Sequence, residues 1–348
     1  MKAAVLEKIN APLTVADVGL GDLAVGQVLV KILVSGICGT QLHEIAGNRN
    51  NAKFTPHLLG HEGCGIVENL GAGVTKVKKG DKVVIHWRKG DGIEADFPTY
   101  VFRGKTIRSG KSTTFSEYSI VSENRITPVP REVPNDFCAL LGCGLSTALG
   151  TVLNEARVRS GESVMVVGLG GLGACLIKAA LSAGASPIIG VDVFEDKKDI
   201  VASLHGNLFI NAARENISEA TQRELGIKDI DVIFDASGNA RSITDTIPLL
   251  GNGGRYVLVG FVKPGESIEI KNPNHLFGVS DGKTIRATQG GGFLPSKDIP
   301  RYVKLFKAGS LDIDNLITHR TTLDNINDAI QMMRQGKANR IMIDFENQ

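Results

Sequence analysis

At 348 residues, with 42% apolar and 22% charged side chains, the chain has the composition of a soluble globular protein and is too long for a single core. A formal net charge of +2 with no long Lys/Arg block argues against nucleic acid and anionic membrane as partners. No apolar run approaches a membrane span, Glu7 and Lys8 come too early for a signal-peptide core, and five cysteines are too few and odd in number for a disulfide scaffold, so a cytoplasmic location is expected.

In chain order, residues 3–6, 27–35, 65–69, 82–86 and 117–121 are β-rich runs bounded by Gly, Pro, Asn or Asp. Gly71-Ala72-Gly73 and Lys79-Gly80-Asp81 are turn signals between them. This pattern predicts a largely antiparallel, barrel-like first domain. From residue 163 the texture changes. Residues 163–167 form a short buried-strand run, glycines follow, and residues 174–183 read as an Ala/Leu-rich helix. Further strands are expected at 187–191, 230–236 and 255–259, with helical stretches between, which argues for a doubly wound parallel sheet. The tail adds helices at 298–308 and 323–335 and a last strand at 340–345.

Three residues stand in separate Gly-rich frames: Cys38 in Gly36-Ile37-Cys38-Gly39-Thr40, His61 in Gly60-His61-Glu62-Gly63, and Cys143 in Leu141-Gly142-Cys143-Gly144. Two thiolates and an imidazole form the ligand set of a catalytic zinc with an open fourth position; alcohol dehydrogenase is the standard example of that set. Cys175 reads as core, and Cys64 and Cys138 lack a ligand frame.

Gly168-Leu169-Gly170-Gly171-Leu172-Gly173 follows the strand run 164–167 and opens a helix. In Gly-x-Gly-x-x-Gly the first glycine serves the tight turn, the second lets backbone approach a pyrophosphate, and the third lets helix pack on strand. The free N–H groups and positive dipole end of the helix then face the phosphates. Asp192 stands 19 residues after Gly173, where an acid binds the ribose 2′-OH. It would repel a 2′-phosphate and no Arg adjoins it, which favours NAD over NADP. Lys197 either touches the adenosine ribose or is a solvated charge.

These motifs resemble the zinc-dependent medium-chain alcohol dehydrogenases over nearly the whole chain. Gly80-Asp81-Lys82-Val83, Thr114-Phe115-Ser116-Glu117-Tyr118, Leu316-Ile317-Thr318-His319 and the segment 336–340 add to the likeness. The resemblance implies a GroES-like β-barrel catalytic domain from residues 1–145 and 288–348 and a Rossmann domain at 146–287, with zinc and nicotinamide in a cleft between them. It implies that zinc acidifies an alcohol whose hydride passes to nicotinamide C4. Thr40 would be the hydroxyl beside the substrate oxygen, His43 the outer proton acceptor, and Glu62 an acid behind the zinc. Arg340 would grip the pyrophosphate, and Trp87, Arg88 and Arg49 would line the substrate pocket.

The chain also departs from that family pattern. It has no cysteine between Val83 and Phe137, where several members carry a structural-zinc lobe, so one zinc per subunit is expected. Gln41 stands where many relatives have an acid that hydrogen-bonds the histidine ligand, and Gly39 replaces a basic residue. Arg49 and Arg88 suggest an anionic or polyhydroxylated substrate rather than ethanol. A homodimer or homotetramer is expected, with the 255–259 strand and the 267–270 segment pairing sheets across a two-fold axis. The competing functions are a sugar or polyol dehydrogenase, a zinc-free quinone or enone reductase, and a non-catalytic NAD-binding protein.

Overall fold

The computed structural model describes residues 1–49, 52–277 and 282–345. They form two compact units. The first comprises Met1–Ser146, Leu294–Ala308 and Ile317–Gln348, and the second comprises Thr147–Phe293 and Gly309–Leu316.

The spine of the first unit is the long strand Gln27–Ile37, rich in Val, Ile and Leu and buried over most of its length. One of its edges pairs antiparallel with Glu62–Leu70. The other is shared between Tyr118–Ser122, along residues 27–31, and Arg340–Asp344, along residues 34–37. Lys82–His86 and Ile126–Pro128 extend the sheet on one side and Ile317–Thr321 on the other. Val28, Val30, Ile32, Val67, Val83, Ile85 and Val121 fill its interior, because alternate side chains of paired strands point the same way.

Register decides what meets at the end of this spine. Ser35 opposes Gly63, Ile37 opposes Ile341, and Glu62 opposes His86. The residues just beyond those ladders, Cys38, His61 and Arg340, therefore share one end of the sheet, although they lie far apart in sequence.

The second unit holds a six-stranded, all-parallel sheet. Its spatial order is Leu208–Asn211, Ile188–Asp192, Val164–Val167, Ile230–Asp235, Leu250–Leu258, Thr284–Ala287. Numbered along the chain this is 3-2-1-4-5-6, the order of a doubly wound Rossmann sheet. The central strands are continuous apolar runs because they are covered on both faces.

The expected strands at 163–167, 187–191, 230–236 and 255–259 are present, as are the five of the first unit. Leu208–Asn211 and Thr284–Ala287 went unforeseen, being short and half exposed. One expectation is corrected. The strand covering 255–259 is hydrogen-bonded on both sides, to Ile230–Asp235 and to Thr284–Ala287, and residues 267–270 form no strand. The strand covering 255–259 thus has no free edge to offer a second copy. Among the described residues, no helix is long and apolar enough to cross a membrane.

Candidate metal and dinucleotide sites

Cys38 follows the spine strand and caps the short helix Gly39–Ile45. His61 immediately precedes the strand Glu62–Leu70, and Cys143 lies between the helices Asn135–Leu140 and Gly144–Leu149. The structure gathers all three. His61 Nε2 lies 3.2 Å and Cys38 Sγ 4.0 Å from Cys143 Sγ, and the three ligand atoms all lie within 4.8 Å of one another. A tetrahedral zinc would set its sulfurs about 3.8 Å apart and sulfur from nitrogen about 3.6 Å apart. The donor set and its spacing fit that ion. It is the one such group of three among the described residues.

The electrostatics split the two thiols: the hydrogen bond with Cys38 and burial push the Cys143 thiol well above its usual pKa. The hydrogen bond from Cys143 is the main force holding the Cys38 thiol well below its usual pKa, with help from His61 and the Arg340 charge. Burial works against a charged His61, but the adjacent Cys38 sulfur outweighs it and raises the imidazole pKa.

Behind the ligands, Glu62 is fully buried and forms an ion pair with Arg340, itself 3% exposed. The other oxygen of Glu62 accepts the Gly144 N–H at 3.1 Å. Burial raises the Glu62 pKa, and the Arg340 guanidinium opposes that rise. Arg340 Nη2 thus holds the acid that follows His61 in sequence. No sequence signal announced this pairing across 278 positions.

Thr40 Oγ1 lies 3.7 Å from Cys38 Sγ, and His43 is exposed on the last turn of the same helix. Trp87 is half buried; its N–H meets Gly142 O at 3.4 Å, one residue from Cys143, and its indole Nε1 lacks a partner. The Arg88 guanidinium stands 5.9 Å from the Trp87 ring. Arg49 is exposed at the end of the first described segment. The neighbouring His86 is structural: burial pushes its pKa down to about 3, and its ring nitrogens meet Arg88 O at 2.7 Å and Thr127 Oγ1 at 3.0 Å.

In the second unit, Gly168 takes φ +88° and turns the chain into the helix Gly171–Ser182, with Gly170 at its N-cap. A Cβ on Gly173 would lie 2.0 Å from Gly168 O, whereas one on Gly170 would meet nothing within 4 Å. Packing therefore demands the third glycine, while the second leaves open space above backbone N–H groups. Gly171 and Leu172 open the helix, half buried.

Asp192 ends the second strand of the sheet, its carboxylate accepting Leu169 N–H at 2.7 Å, Val193 N–H at 2.7 Å and Phe194 N–H at 3.1 Å. That network ties the acid to the Gly-rich turn. Lys197 is 3% exposed at the start of its helix, so it is not a solvated charge.

Two family descriptions match the chain: "Alcohol dehydrogenase GroES-like domain" over residues 24–131 and "Zinc-binding dehydrogenase" over residues 171–308. Alcohol dehydrogenase 6 of Peromyscus maniculatus is 31% identical across 98% of this chain and 97% of its own length. The chain belongs to the zinc-binding alcohol dehydrogenase family. As such it is an oxidoreductase, with a GroES-like domain and a Rossmann-type sheet.

This family member is similar to two solved structures of low identity and near-complete coverage. One is a zinc-binding-domain alcohol dehydrogenase from Burkholderia ambifaria, 26% identical over 99% of this chain and 98% of that one, with a TM-score of 0.90. The other is benzyl alcohol dehydrogenase from Acinetobacter calcoaceticus, also 26% identical over 99% and 98%, with a TM-score of 0.86.

Proposed function

We propose that the chain transfers a hydride between NAD and an alcohol, aldehyde or ketone, with one zinc ion per subunit held by Cys38, His61 and Cys143. The gathering of those three ligand atoms within 4.8 Å carries the reading. Zinc bound there supplies a Lewis acid that makes an alcohol easier to deprotonate near neutral pH.

The chain's own residues supply the rest. Thr40, beside the first ligand, accepts the proton of the substrate hydroxyl as it releases its own toward His43. Exposed His43, on the same helix, passes it to solvent. Glu62, neutralised by Arg340, shapes the field behind the ligands. Gly168, Gly170 and Gly173, with Gly171 and Leu172, cradle the pyrophosphate, and Asp192 receives the ribose hydroxyls and disfavours a 2′-phosphate. Buried Lys197 lies near the adenosine ribose. Trp87 is the apolar wall of the substrate pocket, and Arg88 and Arg49 select an anionic or polyhydroxylated alcohol.

A catalytic domain drawn from both ends of the chain belongs to the same reading, as do a homo-oligomer and a cytoplasmic location. Among the described residues none of the five cysteines is in a disulfide. Thr284–Ala287 is a sheet edge with one partner among the described residues, which suits pairing with a second copy.

The test is NADH formation over a panel of simple alcohols, polyols, sugar alcohols and acidic alcohols, with metal analysis. One zinc per chain, and turnover lost together with zinc in Cys38→Ser, are the expected results. Turnover unchanged in that variant, or two zinc ions per chain, would overturn the reading.

A further inference from the structure

We infer that Gln41 holds His61 in the tautomer that opposes metal ligation, and so sets this site for faster metal exchange than an acid at that position would allow. The inference rests on the zinc reading above and concerns the hydrogen bonds behind the histidine rather than the ligands themselves.

Gln41 is completely buried on the helix Gly39–Ile45, and three groups surround its amide. Its Oε1 accepts the Cys38 backbone N–H at 3.1 Å. Its Nε2 lies 2.6 Å from His61 Nδ1 and 3.4 Å from Glu44 Oε2. A backbone N–H only donates and a carboxylate only accepts, so these two partners together fix which end of the amide is oxygen and which is nitrogen. The nitrogen end is the one turned on His61.

A ring nitrogen facing an N–H donor at that distance presents its lone pair. The proton of neutral His61 is then on Nε2, 3.2 Å from Cys143 Sγ and inside the ligand cluster. Imidazole binds a metal through an unprotonated nitrogen, and the proton then resides on the other one. Ligation through Nε2 thus moves the proton to Nδ1, head-on against the Gln41 amide. Turning the amide over removes that clash but costs the bond to Cys38 N–H and the one to Glu44. A carboxylate at position 41 would accept from both Cys38 N–H and Nδ1–H and meet no such conflict. Here the acid stands one helical turn further on, at Glu44, whose Oε2 accepts the Gln41 amide at 3.4 Å.

Hydrogen-bond partners of ligating histidines change metal affinity by about 10–100-fold. The test is the exchange variant Gln41→Glu/Glu44→Gln, which keeps the net charge and moves the acid next to His61. Zinc release into excess chelator is expected to slow about tenfold or more in this variant. In metal-free parent protein, imidazole nitrogen NMR shifts are expected to show the His61 proton on Nε2, and in the exchange variant on Nδ1. Equal release rates, or a parent His61 already protonated on Nδ1, would overturn the inference. A parent that takes up no zinc would defeat the metal reading instead, and the tautomer measurement would still decide this one. Should the exchange variant not fold, the parent spectrum alone decides.

Discussion

Glu62 and Arg340 form a buried ion pair beside the Cys38–His61–Cys143 cluster, joining the strand Glu62–Leu70 to the last strand, Arg340–Asp344. Each charge depends on the other, since neither can be hydrated. Removing one partner of such a pair costs about 3–5 kcal/mol, while replacing both with apolar groups is often neutral. Arg340→Met is expected to lower the urea midpoint strongly, and Glu62→Gln/Arg340→Met to recover most of that loss. A single variant as stable as the parent would show that the pair is hydrated and of little structural weight.

The Gly-rich turn separates packing from ligand binding. In Gly173→Ala the new methyl runs into Gly168 O, and stability should fall by about 1–3 kcal/mol or more. Gly170→Ala meets only open space, so its stability should stay within about 0.5 kcal/mol of the parent. Its methyl would occupy the place taken here for the pyrophosphate, so NAD should bind about tenfold more weakly or worse. Calorimetric titration with NAD and a urea melt of both variants check the contrast. Parent-like NAD affinity in Gly170→Ala would move the cofactor elsewhere.

Glu94 ties down the loop between the strands Lys82–His86 and Thr99–Phe102. Glu94 accepts Lys111 Nζ at 2.6 Å, Asn124 Nδ2 at 2.6 Å and Arg125 Nη2 at 3.2 Å. Burial alone would raise its pKa; Lys111, Asn124 and Arg125 outweigh burial and bring it to about 2. A depressed carboxylate pKa contributes stability that is present above the unfolded value of about 4.3 and lost as pH falls toward the folded value. Glu94→Gln should therefore lower stability at neutral pH and flatten the acid limb between pH 4.3 and 2. Parallel acid limbs in parent and variant would show that the loop is held by its backbone bonds alone, such as Asn124 N–H to Ile93 O at 3.2 Å.

Much of this protein was legible from local pattern. The gathering of Cys38, His61 and Cys143 could be expected from residue type and glycine frame, and the turn from Gly168 to Gly173 from spacing. Strands such as Gln27–Ile37 and Val164–Val167 were visible because β-branched runs bounded by turns have one stable form. Thr14–Asp17 and Leu208–Asn211 were not, since short, half-exposed strands exist only by virtue of their neighbours.

What surrounds the ligands was decided in three dimensions. The sequence marked Gln41 as a departure, but only the fold set its amide between Cys38, His61 and Glu44. Arg340 could be named from its segment, yet its partner depended on the register that sets Ile341 against Ile37. Hydrogen bonds and ion pairs depend on ångström distances between groups far apart in the chain, and such distances are fixed by strand register and packing rather than by neighbours in sequence.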